Sequence, residues 1–378
     1  TCFAGAYYKK YPERTKDLNV LLNSILSQGN IEIYDRNYGN SDPNYKFPHE
    51  YEKYIVGTLP FEKIDLAYKG YSRGLNLNTV KQSQTMFARR VFELIASNTL
   101  VISNYSRGIK NFFGELVISS DSGREITTRL EKINSTEYFQ EKIRLNALRK
   151  VLREHTYEDR FCYILSKITD SYNELPQPKV LAISLIRDEK SLKKLLSRID
   201  NQSHTNLDIL IILDGFVIPE KPIYSPSVKF LDLHQSKDML MSELSKEIEF
   251  VAVLDPSDFH GENYILDMIL ARRYHEADVI TRSSYFRYTN KKQISLKNPN
   301  KEYISTKKFT KSKSIIRKLL LEKMTLYDIS SLKDNILLDV NVEIFSINKF
   351  NYCQGGSEMR DSLIAVSYTH LTLPTTPY

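Results

Sequence analysis

From Gly74 to Asn104 the chain reads GLNLNTVKQSQTMFARRVFELIASNTLVISN, and its apolar positions change period along the way. Leu75 to Val80 alternates, with Leu75 and Leu77 on one side and Asn76 and Asn78 on the other, which is a strand period. Ser83 and Thr85 are good N-cap residues ahead of a helical pattern that puts Phe87, Val91, Leu94 and Ile95 on one face. Thr99 to Ser103 is a short β-branched run of the kind buried in a parallel sheet. Strand, helix and strand within about 30 residues predict a βαβ unit. Its helix N-terminus sits at the carboxyl end of a strand, where open α/β sheets bind ligands and free N–H groups attract phosphate. Arg89, Arg90 and Glu93 fall in the first turns of that helix, a set suited to a phosphate and a polyol.

The same reading extends both ways. Upstream it predicts strands over Cys2–Tyr8 and Ile31–Tyr34, helices over Glu13–Ser27 and Phe61–Tyr71, and an Asn-, Gly- and Pro-rich loop over Asn37–Phe47. Downstream it predicts a helix over Arg107–Phe113 closed by Gly114, a strand over Glu115–Ser119, and helices to about Ile168. NELPQPK, at Asn173 to Lys179, carries two prolines and reads as an extended linker. A second series follows: strands over Val180–Ile186, Leu207–Leu213, Val228–Leu233, Phe250–Leu254 and Asp278–Tyr285, with helices over Glu189–Ile199, Asp238–Ile248 and Tyr264–His275. Alternating strands and helices mean an α/β layer fold. The predicted architecture is two tandem Rossmann-like domains, 1–172 and 180–365, joined by 173–179.

Length agrees, since 378 residues suit about two domains, each with its own core. Composition is that of an ordinary globular protein, 41% apolar and 26% charged. No run reaches the roughly 18–20 apolar residues that span a bilayer, and no signal peptide is visible. Cys2, Cys162 and Cys353 lack metal spacing and are expected to be reduced thiols of a cytoplasmic protein. The net charge of +7 reads first as a solvated surface; the alternative is attraction to anionic nucleotides or peripheral contact with the inner membrane face. Tyrosine is abundant, but no nucleic-acid module is visible, and nucleic acid is set aside. The chain opens without Met inside a strand pattern, so a fragment is expected. The tail from Val366, VSYTHLTLPTT, resembles translated sequencing adapter, and residues 366–378 are excluded from fold reasoning.

The segments FAGAYYKKYPERTKDL, IEIYDRNYG, YKGYSRGLNLNTVKQSQTMFARRVFELIASNTLVIS, YSRGI and HTYEDR resemble the CgeB-like, spore-maturation type glycosyltransferases over roughly residues 1–170. The resemblance implies the carboxy-terminal, nucleotide-sugar-binding lobe of a GT-B enzyme. By that resemblance Glu93 accepts hydrogen bonds from the ribose hydroxyls, and Thr85, Met86, Arg89 and Arg90 form the turn near the diphosphate, with no metal. Guanidinium groups and helix N–H donors suit the charge that develops on a departing nucleoside diphosphate. The competing reading is a surface ion pair between Glu93 and Arg89 or Arg90. The family pattern ACGTPVVS is ASNTLVIS here, with Ser97, Asn98 and Leu100, which puts the loop under the donor in question.

Residues 178–354 resemble the GT-A domain of family-two-type glycosyltransferases, through VLAISLIRDEKSLKKLLSRIDNQSHTNLDILIILDG, FVAVLDPSDFHGENYILDMILARRYHEADVI and KDNILLDVNVEIFSINKFNY. The resemblance implies that Asp214 contacts the nucleotide base or ribose. It implies too that Asp255 and Asp258 bind Mg²⁺ or Mn²⁺ and that Asp334 is the general base. Ser257 stands where relatives carry a metal-binding carboxylate, and Lys333 where they carry Glu. A hydroxyl is a weak metal ligand, and a lysine beside Asp334 lowers its basicity. The alternative for DPSD is a strand-to-helix turn with Asp258 as a cap, and His260 beside it reads as a loop residue. The lysine-rich run from Lys291 to Lys313 reads as a solvated hairpin region or as a contact for an anionic acceptor. The expected activity is transfer of a sugar from a nucleotide-sugar donor to a glycan, wall polymer or spore-coat acceptor. The rival is a second domain that has lost its chemistry and binds glycan or scaffolds the first.

Overall fold

A computed structural model describes residues 1–169, 175–218, 228–289, 293–331 and 342–358. The chain divides between residues 174 and 175 into two compact units. Asp334, Lys333, Lys291, Lys292, the start of the expected linker and the tail from Val366 lie outside the described residues.

The first unit runs β1 (Cys2–Gly5), α1 (Pro12–Leu26), β2 (Glu32–Asp35), α2 (His49–Glu52), β3 (Ile55–Gly57), α3 (Ile64–Lys69), β4 (Arg73–Asn76), α4 (Arg90–Ala96), β5 (Leu100–Ser103), α5 (Arg107–Phe113), β6 (Ile118–Ser119), α6 (Gly123–Ser135), α7 (Phe139–Glu154) and α8 (Tyr157–Thr169). The strands form one parallel sheet in the order β3-β2-β1-β4-β5-β6. The order reverses between β1 and β4, the place where doubly wound sheets open a crevice at their carboxyl edge. Leu18, Leu21, Leu22 and Ile25 of α1 are buried, as are Val91, Leu94 and Ile95 of α4, which pack with Val101, Ile109 and Phe113.

Three local outcomes depart from the pattern of the sequence. Asn76 and Asn78 do not face solvent: they are 0% and 4% exposed. A central parallel strand is covered on both faces, so alternation there separates kinds of burial, not core from water. The helix begins at Arg90, seven residues after Ser83. Ser83 Oγ instead accepts from the backbone N–H groups of Thr85 and Met86 at 3.4 and 3.0 Å, a side-chain turn that competes with helix initiation. The intervening loop packs over α5. A Cβ on Gly108 would lie 2.9 Å from Phe87 and 3.3 Å from the Ser83 carbonyl oxygen, which accounts for the glycine in YSRGI.

Helix α4 ends at the ASNT stretch, where the resemblance leads one to expect glycine at Asn98. Asn98 takes φ of 55°, its N–H donates to the Ile95 carbonyl at 2.9 Å, and the Thr99 N–H donates to that of Leu94 at 3.0 Å. This is a Schellman closure, and asparagine tolerates the left-handed residue it needs. HTYEDR is structural as well. His155 packs among Phe92, Phe112 and Phe113, Thr156 and Asp159 cap α8 reciprocally, and the Arg160 guanidinium lies 4.8 Å from the Phe92 ring centre.

The second unit runs β7 (Lys179–Ile186), α9 (Glu189–Ile199), β8 (Leu207–Leu213), β9 (Val228–Asp232), α10 (Leu233–Asp238), β10 (Ile248–Val253), β11 (Phe259–His260), α11 (Tyr264–Ala271), β12 (Val279–Thr281), β13 (Tyr285–Tyr288), β14 (Ile294–Lys297), β15 (Ile304–Thr306), β16 (Ser314–Arg317), α12 (Leu326–Ser330), β17 (Ile344–Ser346) and β18 (Tyr352–Gln354). Its main sheet has the order β15-β17-β12-β16-β10-β7-β8-β9, with β10, β7, β8 and β9 parallel and β16 antiparallel to β10. A smaller sheet has the order β11-β18-β13-β14. Apolar clusters fill both faces of the main sheet, Phe250 and Tyr264 on one and Val251 and Met241 on the other.

The helix expected over Asp238–Ile248 ends at Asp238 instead. Asp232 and Gln235 form a capping box that starts it at Leu233, five residues early. The strand expected over Asp278–Tyr285 is two, β12 in the main sheet and β13 in the smaller one. The lysine-rich run supplies β14, which pairs antiparallel with β13 ahead of the run, and β15 of the main sheet, and Lys311 and Lys313 at its end are 4% and 8% exposed rather than solvated.

Candidate functional site

The carboxyl ends of β4 and β5 carry a buried polar network beside the order reversal. Asn76 Nδ2 and Asn78 Nδ2 donate to Ser103 Oγ at 3.0 and 3.2 Å, and the Asn78 N–H donates to Asn104 Oδ1 at 2.8 Å. Asn104 Nδ2 donates to Asp17 Oδ2 at 2.9 Å, and Lys81 Nζ lies 2.6 Å from Asp17 and 2.9 Å from Asp121. Burial works against the Lys81 charge, but the two carboxylates more than offset it and raise its pKa. Asn78 Oδ1 accepts from the Ala88 N–H at 2.9 Å, which pins the 77–89 loop to the strand that precedes it. Buried amides here are nearly all partnered, so the loop is held by fixed geometry rather than by surface contacts.

Cations gather at the neighbouring strand ends. Arg14 lies in the first turn of α1, Arg36 follows β2 and Arg90 begins α4. The Arg14 pKa is lowered, first by burial, with the charges of Arg90 and Arg36 acting in the same direction. Arg14 thus lies within reach of the charges of both Arg36 and Arg90, a grouping that an anion would relieve. Arg90 is half-buried beside the Tyr68 phenol, and its Nε has no hydrogen-bond acceptor. Asp35, at the end of β2, is 5% exposed, and burial raises its pKa.

Arg89 and Glu93 stand one helical turn apart, with Nε 2.6 Å from Oε1, so the ion-pair reading of the sequence holds in this arrangement. Thr85 and Met86 are exposed in the loop. The described structure thus places Arg90 in the cationic group and Arg89 on Glu93. Sequence reading passed over Arg14, Arg36, Asp17, Asn76, Asn78, Lys81 and Asn104. YPER and the two asparagines of LNLN carry the signal, but only the sheet order brings them to one edge.

In the second unit the parallel strands reverse order between β7 and β10. Asp214 follows β8 and pairs with Arg187 after β7, Nε to Oδ2 at 2.9 Å. Asp255 follows β10 and accepts from Ser257, its N–H at 2.9 Å and its Oγ at 2.7 Å. Asp258 is 3% exposed and already committed: the Tyr352 hydroxyl donates to one oxygen and the Gly355 N–H to the other at 2.8 Å. Burial pushes its carboxyl up to about 6, with the nearby Asp255 charge adding to the shift. Lys313 lies 3.6 Å over the Tyr285 ring, and burial lowers its pKa to about 8 although Asp258 opposes this. His260 is buried against Tyr264 and pushed down to about 3, so it is a neutral core residue and not an exposed loop histidine.

This donor set does not suit the Mg²⁺ or Mn²⁺ that the DxD resemblance implies. Hard cations take several oxygen ligands. Here Asp258 has both oxygens occupied, Ser257 offers a hydroxyl, and Asp255 alone keeps a partly accessible carboxylate. Among the described residues no group of three or more His, Cys, Asp or Glu converges as a metal site. The turn reads as a closed strand-to-strand corner, also held by Arg198, which donates to the carbonyls of Asp258 and Ser357 at 2.8 and 2.7 Å.

No curated protein matches the sequence. Among solved structures, S. aureus TarS is similar at 16% identity and a TM-score of 0.35, over 46% of this chain and 36% of that one. TarS 1–349 in complex with UDP-GlcNAc gives 14% identity and a TM-score of 0.33, over 46% of this chain and 58% of that one. The chain therefore spans between about a third and three-fifths of the length of these proteins. Among the described residues no helix is long and apolar enough to cross a membrane. Residues 21–166 match the model of a family described as glycosyl transferase-like.

Proposed function

We propose that the chain takes part in glycosyl transfer from a nucleoside-diphosphate sugar to a glycan, wall polymer or spore-coat acceptor, with the donor held at the β1/β4 reversal of the first unit. The observation that carries this reading is the convergence of Arg14, Arg36 and Arg90 at the carboxyl edge of a sheet ordered 3-2-1-4-5-6, within a segment that matches a glycosyl transferase-like family. An acceptor hydroxyl oxygen attacks the anomeric carbon, the bond from that carbon to the β-phosphate oxygen breaks, and the acceptor proton leaves to a base. The diphosphate departs with the bonding pair, and fixed guanidiniums stabilise that charge without rearranging. Glu93 would exchange Arg89 for the ribose hydroxyls on donor binding. No metal is needed in this unit, and no nucleic acid enters the reaction. A cytoplasmic enzyme with peripheral membrane contact is consistent with the +7 charge.

For the second unit two readings remain in play. As an enzyme it would use Asp214 for the base or ribose and Asp334 as general base. As a binding or scaffolding module it would need neither. The occupied carboxylate of Asp258 favours the second.

The test is thermal unfolding of the full chain against UDP, GDP, CDP, ADP and UDP-GlcNAc, with and without Mn²⁺. A ligand at 100 times its Kd adds roughly 2.7 kcal/mol, which a melting curve resolves. One nucleotide should stabilise the protein, independently of Mn²⁺, and Arg90→Gln should abolish the response. No response to any nucleotide would overturn the reading, and a Mn²⁺-dependent response that survives Arg90→Gln would move donor binding to the second unit.

A further inference from the structure

At the amino edge of the main sheet of the second unit, away from Asp214 and Asp255, lies a cleft of about 380 Å³ between the start of β10, the end of α11 and the end of β16. Its charged lining is Lys246, Glu249, Arg272, Arg317, Lys318 and Glu322. Four cations face two carboxylates. The Nε–H groups of Arg272 and Arg317 are both sealed from solvent without a hydrogen-bond acceptor. Arg317 has Asp278 as an ion-pair partner at 3.4 Å, yet that contact does not satisfy its Nε as a hydrogen bond. The Arg272 guanidinium is braced 4.9 Å from the Phe250 ring centre. Its pKa is lowered, first by burial and then by the Arg317 charge.

Glu249, Glu276 and Asp278 oppose that lowering, but a sealed guanidinium N–H of Arg272 with no acceptor, beside a second guanidinium, is costly, and native structures rarely leave one so. A tetrahedral oxyanion in the cleft would relieve the charge of both guanidiniums, with the outer N–H groups of each fork as its donors. We infer that this cleft binds a phosphate group, through Arg272 and Arg317 with Lys246 at the rim. The site is distinct from the strand ends that carry Asp214 and Asp255, because it opens at the opposite edge of the same sheet. The phosphate is either free inorganic phosphate or the phosphodiester of a larger acceptor, the same chemistry from two sources.

The experiment is calorimetric titration of the full chain with inorganic phosphate and, separately, with a glycerophosphodiester, at constant ionic strength set with chloride. Binding of one of them is expected, and it should weaken by roughly tenfold or more in Arg272→Gln. The nucleotide response of the first unit should stay unchanged in that variant. Tighter binding of the diester identifies a chain phosphate as the source, and tighter binding of phosphate identifies the free ion. Lys246→Gln, at an exposed position, should weaken binding by a smaller factor and serves if Arg272→Gln does not fold by circular dichroism. Heat no greater than that of chloride dilution, or equal affinities in parent and both variants, would overturn the assignment.

Discussion

The Nε of Arg89 lies 2.6 Å from Oε1 of Glu93, so the acid proposed for the donor ribose is held in the free protein by its neighbour one turn away. An exposed i,i+4 pair contributes little to folding. Glu93→Gln should therefore leave the melting temperature of the first unit within about a degree while it weakens nucleotide binding about tenfold or more, the size of a lost charged hydrogen bond to a ribose hydroxyl. Isothermal titration with the stabilising nucleotide decides this. Unchanged affinity would make the pair a surface ornament and remove Glu93 from the site.

Asn98 closes α4 with φ of 55°, a conformation that glycine adopts without strain. Alanine at a left-handed position costs about 1–2 kcal/mol, whereas glycine costs nothing in that conformation. Asn98→Ala should lower stability by about 1 kcal/mol, and Asn98→Gly should match the parent or exceed it slightly. Urea denaturation of both variants is the check, and equal losses in the two would contradict the closure described for this helix.

Thr156 and Asp159 cap α8, with the Thr156 N–H 2.8 Å from Asp159 Oδ2 and the Asp159 N–H 3.2 Å from Thr156 Oγ1. HTYEDR is on this account a cap and a packing motif. Thr156→Ala should destabilise by about 1 kcal/mol, with nucleotide affinity retained in the folded protein. A folded Thr156→Ala protein that no longer binds nucleotide would return the motif to the site.

Asp258 and Lys313 give the second unit opposite pH limbs. Burial raises the Asp258 carboxyl from 3.8 to about 6, so between those values the folded protein keeps a proton that the unfolded chain has lost. Stability then falls as pH rises from about 4 to 6, by an amount on the order of 3 kcal/mol, and levels off above. Burial lowers Lys313 from 10.5 to about 8, so between those values the unfolded chain binds the extra proton and stability climbs with pH. The unit should be least stable between about pH 6 and 8. Denaturant titrations across the range should show the acid limb vanish in Asp258→Asn and the alkaline limb in Lys313→Met; an acid limb that persists in Asp258→Asn would assign it elsewhere.

Local periodicity was enough for much of the fold. Glu189–Ile199 and Leu207–Leu213 stand where their patterns put them, because an amphipathic helix and a fully apolar strand each state their own burial. It failed where side chains compete for the backbone. Ser83 diverts the start of α4 and Asp232 advances that of α10, since a hydroxyl or carboxylate can satisfy nearby N–H groups without a helix following at the expected place.

The sequence by itself determined the α/β alternation, the strand ends that carry acids, and the run of residues in which Arg90 and Glu93 lie. Only the tertiary structure decided which polar groups meet. Arg14, Arg36 and Arg90 are separated by up to 76 positions, and the β1/β4 order reversal is what brings the charges of Arg36 and Arg90 within reach of Arg14. It likewise decided that Asp258 belongs to Tyr352 and Gly355, 94 and 97 residues away. Periodicity reports the burial of each residue in its own element, whereas the partner of a buried charge depends on strand order, which is set by the packing of the whole sheet.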